Sequence, residues 1–245
     1  MVVDMADGIA VSQKLKENYD QYYGGESQWR ALGAAHKAEN IVSLCQMVPH
    51  ESILEIGCGE GSILQRLSDA NFGKALFGAE ISSSGVSSVM ARNISRLRDC
   101  QQFDGSRLPY RDRQFDLAVL SHVIEHAEYP RRLIYEAARV ARYIFIEVPL
   151  EDTTSLKPDF VFDSVGHINF YSRKTFRRLV QSCGLQVLSQ KTTNPSRAMY
   201  EFQYGRKSVF KYLTKRAMLA LSEPLACALF TYHSSLLCAN LNEIK

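Results

Sequence analysis

Paired cysteines, charge of one sign and long apolar runs are all missing from this chain, and each absence removes a class of protein. Six cysteines in 245 residues (Cys45, Cys58, Cys100, Cys183, Cys227 and Cys238) show neither C-x-x-C pairing nor zinc spacing. A disulfide framework and a zinc knuckle are therefore excluded, and the cysteines read as small buried hydrophobes in a reducing compartment. A formal charge of +3 is too mild to argue for nucleic acid. The most apolar late stretch, 217–230, is broken by Ser222-Glu223-Pro224 and is too short to span a bilayer. Asp4 and Asp7 stand where a leader would be apolar, so no signal peptide is expected. There is no internal repeat and no low-complexity tract. One domain with a full core is expected, in the cytoplasm, with no membrane and no nucleic-acid partner.

What the chain does contain is concentrated in residues 53–61, Ile-Leu-Glu-Ile-Gly-Cys-Gly-Glu-Gly. An apolar strand runs into Gly57, Gly59 and Gly61, and a helical pattern (Ile63, Leu64, Leu67) opens directly behind. Alternating glycines let backbone approach a ligand because no Cβ stands in the way, and the following helix aims its first amides at the same spot. The dinucleotide fingerprint G-x-G-x-x-G requires glycine at position 62, which is Ser62. The spacing is instead G-x-G-x-G, preceded by the acid Glu55.

The rest of the chain supplies an ordered set of units. Ala75–Ala79 ends at Glu80 and Ile81, an acid about 20 residues past the glycines that suits ribose hydroxyls. A third unit ends at Phe103-Asp104-Gly105. Leu108-Pro109-Tyr110 and Gln114-Phe115-Asp116-Leu117-Ala118-Val119-Leu120 follow, then Ser121-His122-Val123-Ile124-Glu125-His126. Tyr143–Pro149 is a fifth strand. Gly166-His167-Ile168-Asn169-Phe170-Tyr171-Ser172 leads into a helix, and Gly184-Leu185-Gln186-Val187 opens a sixth strand.

Over roughly residues 40–193 this passage resembles the class I S-adenosylmethionine-dependent methyltransferases, near their small-molecule (type-11-like) members. The resemblance implies an α/β, Rossmann-like fold: a seven-stranded, mostly parallel sheet with an antiparallel last strand and helices on both faces. It implies S-adenosyl-L-methionine as cofactor and S-adenosyl-L-homocysteine as product. The cofactor positions it implies are Glu55, Gly57, Cys58, Gly59, Gly61, Glu80, Ile81, Asp104, Gly105, Ser121 and His122. Among them Glu80 faces the ribose, Asp104 the adenine amine, and Ser121 and His122 the methionine end.

The organisation expected is an N-terminal helical lid (1–45), a core (46–193), a helical cap inserted before the last strand (194–230), and that strand (231–245). Val11–Tyr23 and Gly33–Met47 read as helices separated by Gly24-Gly25. The fourth core helix is expected near Pro130–Ala141, with Pro130 in its first turn. Ser172 is a good N-cap, and Gly184 a C′ residue. The insertion shows two helical patterns split at Pro224, and His233–Leu241 reads as the seventh strand.

Two histidines are candidates for catalysis. His122 is placed to take a proton from, or orient, a nucleophile; the plain alternative is a hydrogen bond to the cofactor. His167 sits in the substrate-side loop, where its plain role is to tether that loop. Tyr19, Tyr22, Tyr23, Trp29, His167 and Tyr200 are candidate substrate contacts, with Phe202 and Tyr204 completing an aromatic cage; the alternative is packing on the body. Arg92, Arg96, Arg98, Arg107, Arg111 and Arg113 read as a solvated face.

The turn after strand four is not the [DNS]-P-P-[YFW] of nucleic-acid amino-methyltransferases. The acidic metal set of the catechol enzymes is not found, so no metal is expected, and the double-glutamate loop of the protein arginine enzymes is missing too. A flat heteroaromatic or phenolic metabolite is favoured, N- or O-methylated by in-line displacement, as in azapteridine (toxoflavin-type) pathways. A carboxylic acid, a lipid quinone and a sugar stay open as acceptors. The rival readings are a nicotinamide-dependent dehydrogenase and an inactive partner that only binds the cofactor.

Overall fold

A computed structural model describes residues 27–157 and 166–240. The expected helix Val11–Tyr23, with Tyr19, Tyr22 and Tyr23, lies outside the described residues.

Helix α1 (Ser27–Cys45) precedes an alternation of β1 (Ser52–Ile56), α2 (Ser62–Asp69), β2 (Ala75–Glu80), α3 (Ser83–Ala91) and β3 (Leu97–Gln102). Then come β4 (Phe115–Ser121), α4 (Pro130–Val140), β5 (Ala141–Pro149), α5 (Arg173–Ser182) and β6 (Leu185–Thr193). Helices α6 (Arg197–Tyr204), α7 (Val209–Leu221) and α8 (Glu223–Leu229) lead to β7 (His233–Asn240). The seven strands form one sheet in the order β3-β2-β1-β4-β5-β7-β6. Pairing is parallel from β3 through β5, while β7 runs antiparallel to both β5 and β6. This is the expected sheet, including its reversed last strand.

Period-two alternation sends the strand side chains to two cores. On one face Ala118, Leu120, Ile144, Ile146, Leu236 and Cys238 pack with Leu133, Ala137, Phe176 and Val180 of α4 and α5. On the other, Leu117, Val119, Phe145 and Leu237 pack with Ala34, Ala38 and Ile41 of α1 and with Leu64 and Leu67 of α2. The second face matters for function. Toward the carboxyl ends of β4 and β5, and near the start of the antiparallel β7, this face turns polar: Ser121, Glu147 and Ser235 share one row, with Glu55 at the level of Val119 on β1.

Local signals account for the element ends. Ser172 accepts from Thr175 N in a reciprocal capping box, and Gly184 follows α5 at φ +81°. Pro130 opens α4 at a position where no amide partner is lost.

Two expectations need correction. Helix α1 begins at Ser27, not Gly33, so Trp29 and Arg30 lie on the helix; nothing in Ser-Gln-Trp-Arg-Ala-Leu breaks a helix, and Gly33 is tolerated mid-helix because it is buried near Met199. The insertion holds three α-helices and a short 3-10 turn rather than two patterns. Ser196 caps α6, and Gly205 at φ +73° ends it.

Candidate functional site

The site is assembled where β1, β2 and β4 end. After β1 the backbone passes through Gly57, Gly59 and Gly61 at φ +72°, +54° and +80°, a region that only glycine occupies freely. A Cβ on Gly57 would lie 2.7 Å from Val123 Cγ2, so this turn also needs glycine for space. Gly57 N and Cys58 N both donate to Ala79 O, at 2.7 and 3.2 Å, and fasten the loop to the tip of β2. Gly61 then heads α2, whose first turn has no side-chain cap, leaving its amides to a ligand or water.

Glu80 ends β2 and is 3% exposed. Its carboxylate accepts from Gly59 N at 2.8 Å and from Ser82 N at 3.1 Å. The glycine loop and the acid expected to face the ribose are thus in direct contact. Ile81 follows, its carbonyl accepting from Gln102 Nε2 at 2.9 Å. Asp104 lies just past β3, where Phe103 N donates to Glu80 O at 3.0 Å. Its Oδ1 accepts from Ser106 N and Arg107 N at 2.7 and 3.1 Å, with Gly105 at φ +85° between. Burial pushes the Asp104 carboxyl up, but these bonds outweigh it and leave the group below its ordinary range. Asp104 therefore does the turn-forming work of an Asx residue, at the surface beside Glu80.

Beneath the loop, Glu55 is 2% exposed, and burial pushes its carboxyl well up. Its Oε2 has no hydrogen-bond partner among the described residues. A buried acceptor left unmatched costs stability, and the ammonium of an amino-acid ligand is a natural complement. These groups fit a nucleoside that carries an amino-acid tail.

At the end of β4, His122 holds φ +58°, rare for a side-chain-bearing residue. Its amide donates to Glu147 O at 2.9 Å. Its Nδ1 lies 3.2 Å from Glu125 Oε1, its Nε2 3.5 Å from Glu147 Oε1, and its ring 4.4 Å from that of His233. Glu147 is fully buried. It accepts from Asn40 Nδ2 at 2.8 Å, Ser235 Oγ at 2.6 Å and Ser121 Oγ at 3.3 Å. Burial would raise its carboxyl, but His122, His233 and Ser235 hold it well below the usual range. Glu125, also fully buried, is likewise held below its ordinary value by His122 and His126 against the opposing effect of burial. Burial depresses the Lys37 ammonium on α1, with Glu147, Glu125 and Glu55 pulling the other way.

His167 is drawn elsewhere. Its Nδ1 contacts Glu151 Oε2 at 2.7 Å, and its ring lies 4.7 Å from His126. Around it, Ile168 N and Asn169 N donate to Glu125 O, and Asn169 Nδ2 donates to Ala127 O at 2.7 Å. This is the tethering geometry: the loop is sewn to the turn after β4. Tyr200 is 5% exposed inside the insertion and donates to Asn194 Oδ1 at 2.9 Å. Trp29 stacks at 5.9 Å on Phe202. Because 200, 202 and 204 fall on a helix, Tyr200 and Tyr204 share one side, their rings 6.2 Å apart, while Phe202 meets α1. A single cage of all three does not form.

His36, Lys37, Asn40, Glu147 and His233 were not among the residues expected at the site. Three left signals: Glu147 is the lone charge in the apolar run Tyr143–Val148, and His36 and Asn40 stand one helical turn apart.

The family described as "Methyltransferase domain" matches residues 30–190, and the chain belongs to it. An uncharacterized protein of Methanocaldococcus jannaschii, MJ1123, is 28% identical over 132 residues, 54% of this chain and 56% of that protein; the chain spans about half the length of this curated relative. Among solved structures, the magnesium protoporphyrin IX methyltransferase of Synechocystis with bound S-adenosylhomocysteine superposes with a TM-score of 0.56 at 13% identity, covering 93% and 95% of the two chains. The [4+2]-cyclase SpnF superposes with a TM-score of 0.60 at 17% identity, covering 84% and 80%. The fold is that of the class I methyltransferases. The cyclase's likeness shows that the fold alone does not fix the reaction. No helix among the described residues is long and apolar enough to cross a membrane.

Proposed function

We propose that this chain transfers a methyl group from S-adenosylmethionine to a small metabolite. The single observation that carries this reading is the contact of the glycine loop with Glu80, Gly59 N to Oε2 at 2.8 Å, beside the unmatched Glu55 oxygen. In this reading Glu80 takes the ribose hydroxyls, Asp104 and Gly105 border the adenine, Cys58 and Ile81 line the walls, and Glu55 and the first amides of α2 receive the amino-acid end. When bound, the cofactor supplies an electrophilic methyl on a sulfonium. The chain supplies position: a nucleophile held in line at about 3–3.5 Å, with water excluded, gains most of the rate.

The acceptor enters on the side of His122 and His233. His122 orients the acceptor and holds its departing proton at Nε2, while Glu125 fixes the ring from Nδ1. A planar heteroaromatic or phenolic acceptor fits that polar wall and the Trp29–Phe202 pair at the junction of the N-terminal lid and the cap; azapteridines are a first class to assay. The test is release of S-adenosylhomocysteine on incubation with such a panel, alongside calorimetric titration of the cofactor product. Micromolar binding with acceptor-dependent release supports the reading; binding of NAD instead, or no release with any acceptor, overturns it. If His122 orients the acceptor, His122→Ala lowers turnover and leaves cofactor affinity unchanged.

A further inference from the structure

Methyl transfer does not by itself account for two histidines converging on one carboxylate oxygen. Nε2 of His122 and Nδ1 of His233 lie 3.5 and 3.9 Å from the same Glu147 Oε1. The three ligand atoms all fall within 4.8 Å of one another. Neither ring nitrogen has a hydrogen-bond partner among the described residues, and His233 is only 8% exposed. Buried imidazole nitrogens ordinarily find a partner. Here two of them lie near one carboxylate oxygen without bonding it.

We propose that His122 Nε2, His233 Nδ1 and Glu147 Oε1 form a binding site for a divalent first-row transition-metal ion. Ligands about 2.0–2.2 Å from a common ion sit roughly 3–3.5 Å apart, so the observed spacing closes with small side-chain shifts. The surroundings are those of a metal site. Glu125 Oε1 lies 3.2 Å from Nδ1 of His122, on the side where a carboxylate partner leaves the opposite nitrogen to ligate. The second oxygen of Glu147 is held by Asn40 and Ser235, which turns Oε1 toward the histidines. The two carboxylates outnumber Lys37, the cation facing them from α1, so the cluster keeps a negative balance for an ion.

The donor set also names the metal class. Two imidazoles and one carboxylate suit zinc, manganese, iron or cobalt better than magnesium or calcium, and leave coordination positions open. An open position on the acceptor side would take a hydroxyl or ring nitrogen and lower its pKa. This departs from the expectation of no metal, which rested on the missing all-acid set; residues 122, 147 and 233 carry no spacing motif. A cation there takes the place of the proton at Nε2, so the turnover of His122→Ala is to be compared with that of chelator-treated wild type. The proposal stands on the geometry alone, whether or not a methyl group is transferred.

Titrating chelator-treated full-length protein with Co2+ tests it, read by visible absorption. One equivalent should bind with d–d bands and no thiolate charge-transfer band, and Zn2+ should displace it. Glu147→Gln and His233→Gln should each weaken Co2+ binding at least tenfold, their folding checked by circular dichroism. Electron paramagnetic resonance of the wild-type Cu2+ form should show coupling to two nitrogens, which needs no variant to fold. No bands, a thiolate band or coupling to fewer than two nitrogens would overturn the site. So would loss of binding in His167→Gln but not in His233→Gln, since the ion would then belong to the second cluster of Glu125, His126 and His167.

Discussion

Gly57 and Glu80 show how much single residues carry at this sheet edge. Gly57 combines φ +72° with a virtual Cβ only 2.7 Å from Val123 Cγ2. Alanine there must strain the turn and push Val123 away, and each effect costs about 1–3 kcal/mol. Gly57→Ala should therefore lower unfolding stability by a few kcal/mol in urea and weaken S-adenosylhomocysteine binding as well. Glu80 is tested differently because its oxygens already serve Gly59 and Ser82. If Glu80 takes ligand hydroxyls as proposed, removing it costs about 1–3 kcal/mol per bond. Glu80→Ala should weaken calorimetric binding of S-adenosylhomocysteine by at least tenfold, and Glu80→Gln by less; an unchanged dissociation constant would remove Glu80 from the site.

Among the elements, the passage from β3 to β4 depends on α4. Arg139 donates to Tyr110 O at 2.9 Å, Leu108 O at 3.1 Å and Asp112 Oδ1 at 2.8 Å, and pairs with Glu136 at 2.7 Å. Glu136 in turn accepts from Leu108 N at 2.9 Å. Burial would raise Glu136, but Arg139 and the Leu108 amide hold it below its ordinary value. Its support is therefore present above the usual carboxylate range and is lost as pH falls through the lowered value. Arg139→Met should cost about 2–3 kcal/mol and speed amide exchange over residues 107–113. The Leu108-Pro109-Tyr110 motif was visible in the sequence; the arginine that holds it was not, because it lies some 30 positions away with no local pattern. The same division runs through the molecule. Glycine spacing, the acid closing β2 and period-two alternation are local and could be read directly. The Glu147 cluster joins α1, β4, β5 and β7, and only the sheet order brings those four together. Tyr200, Phe202 and Tyr204 alternate in the sequence, but on helix α6 Tyr200 and Tyr204 share one side while Phe202 stacks on Trp29 of α1, a division that their spacing on a helix dictates.

At the scale of the whole molecule, the late helices are pinned to the sheet by a buried cation. Lys215 on α7 is 6% exposed. Its Nζ donates to Thr231 O at 2.6 Å and lies 4.8 Å from the Tyr232 ring and 5.3 Å from that of Tyr200. Burial pushes its ammonium from 10.5 down to about 8. Between those values the unfolded chain holds a proton that the folded one has released, so this group adds stability as pH rises from about 8 toward 10.5. The cysteines act in the opposite sense: burial raises Cys227 to about 11 and Cys238 to about 12, so folding keeps protons that the unfolded thiols lose. The net alkaline slope therefore mixes both signs, and only a comparison isolates Lys215. Urea unfolding of wild type and Lys215→Met from about pH 7 to pH 10 should show the wild type gaining on the variant as pH rises, by up to about 3 kcal/mol. Parallel curves would mean that Thr231 and the rings of Tyr200, Phe230 and Tyr232 compensate the buried charge fully, and that α7 is held by its apolar contacts alone.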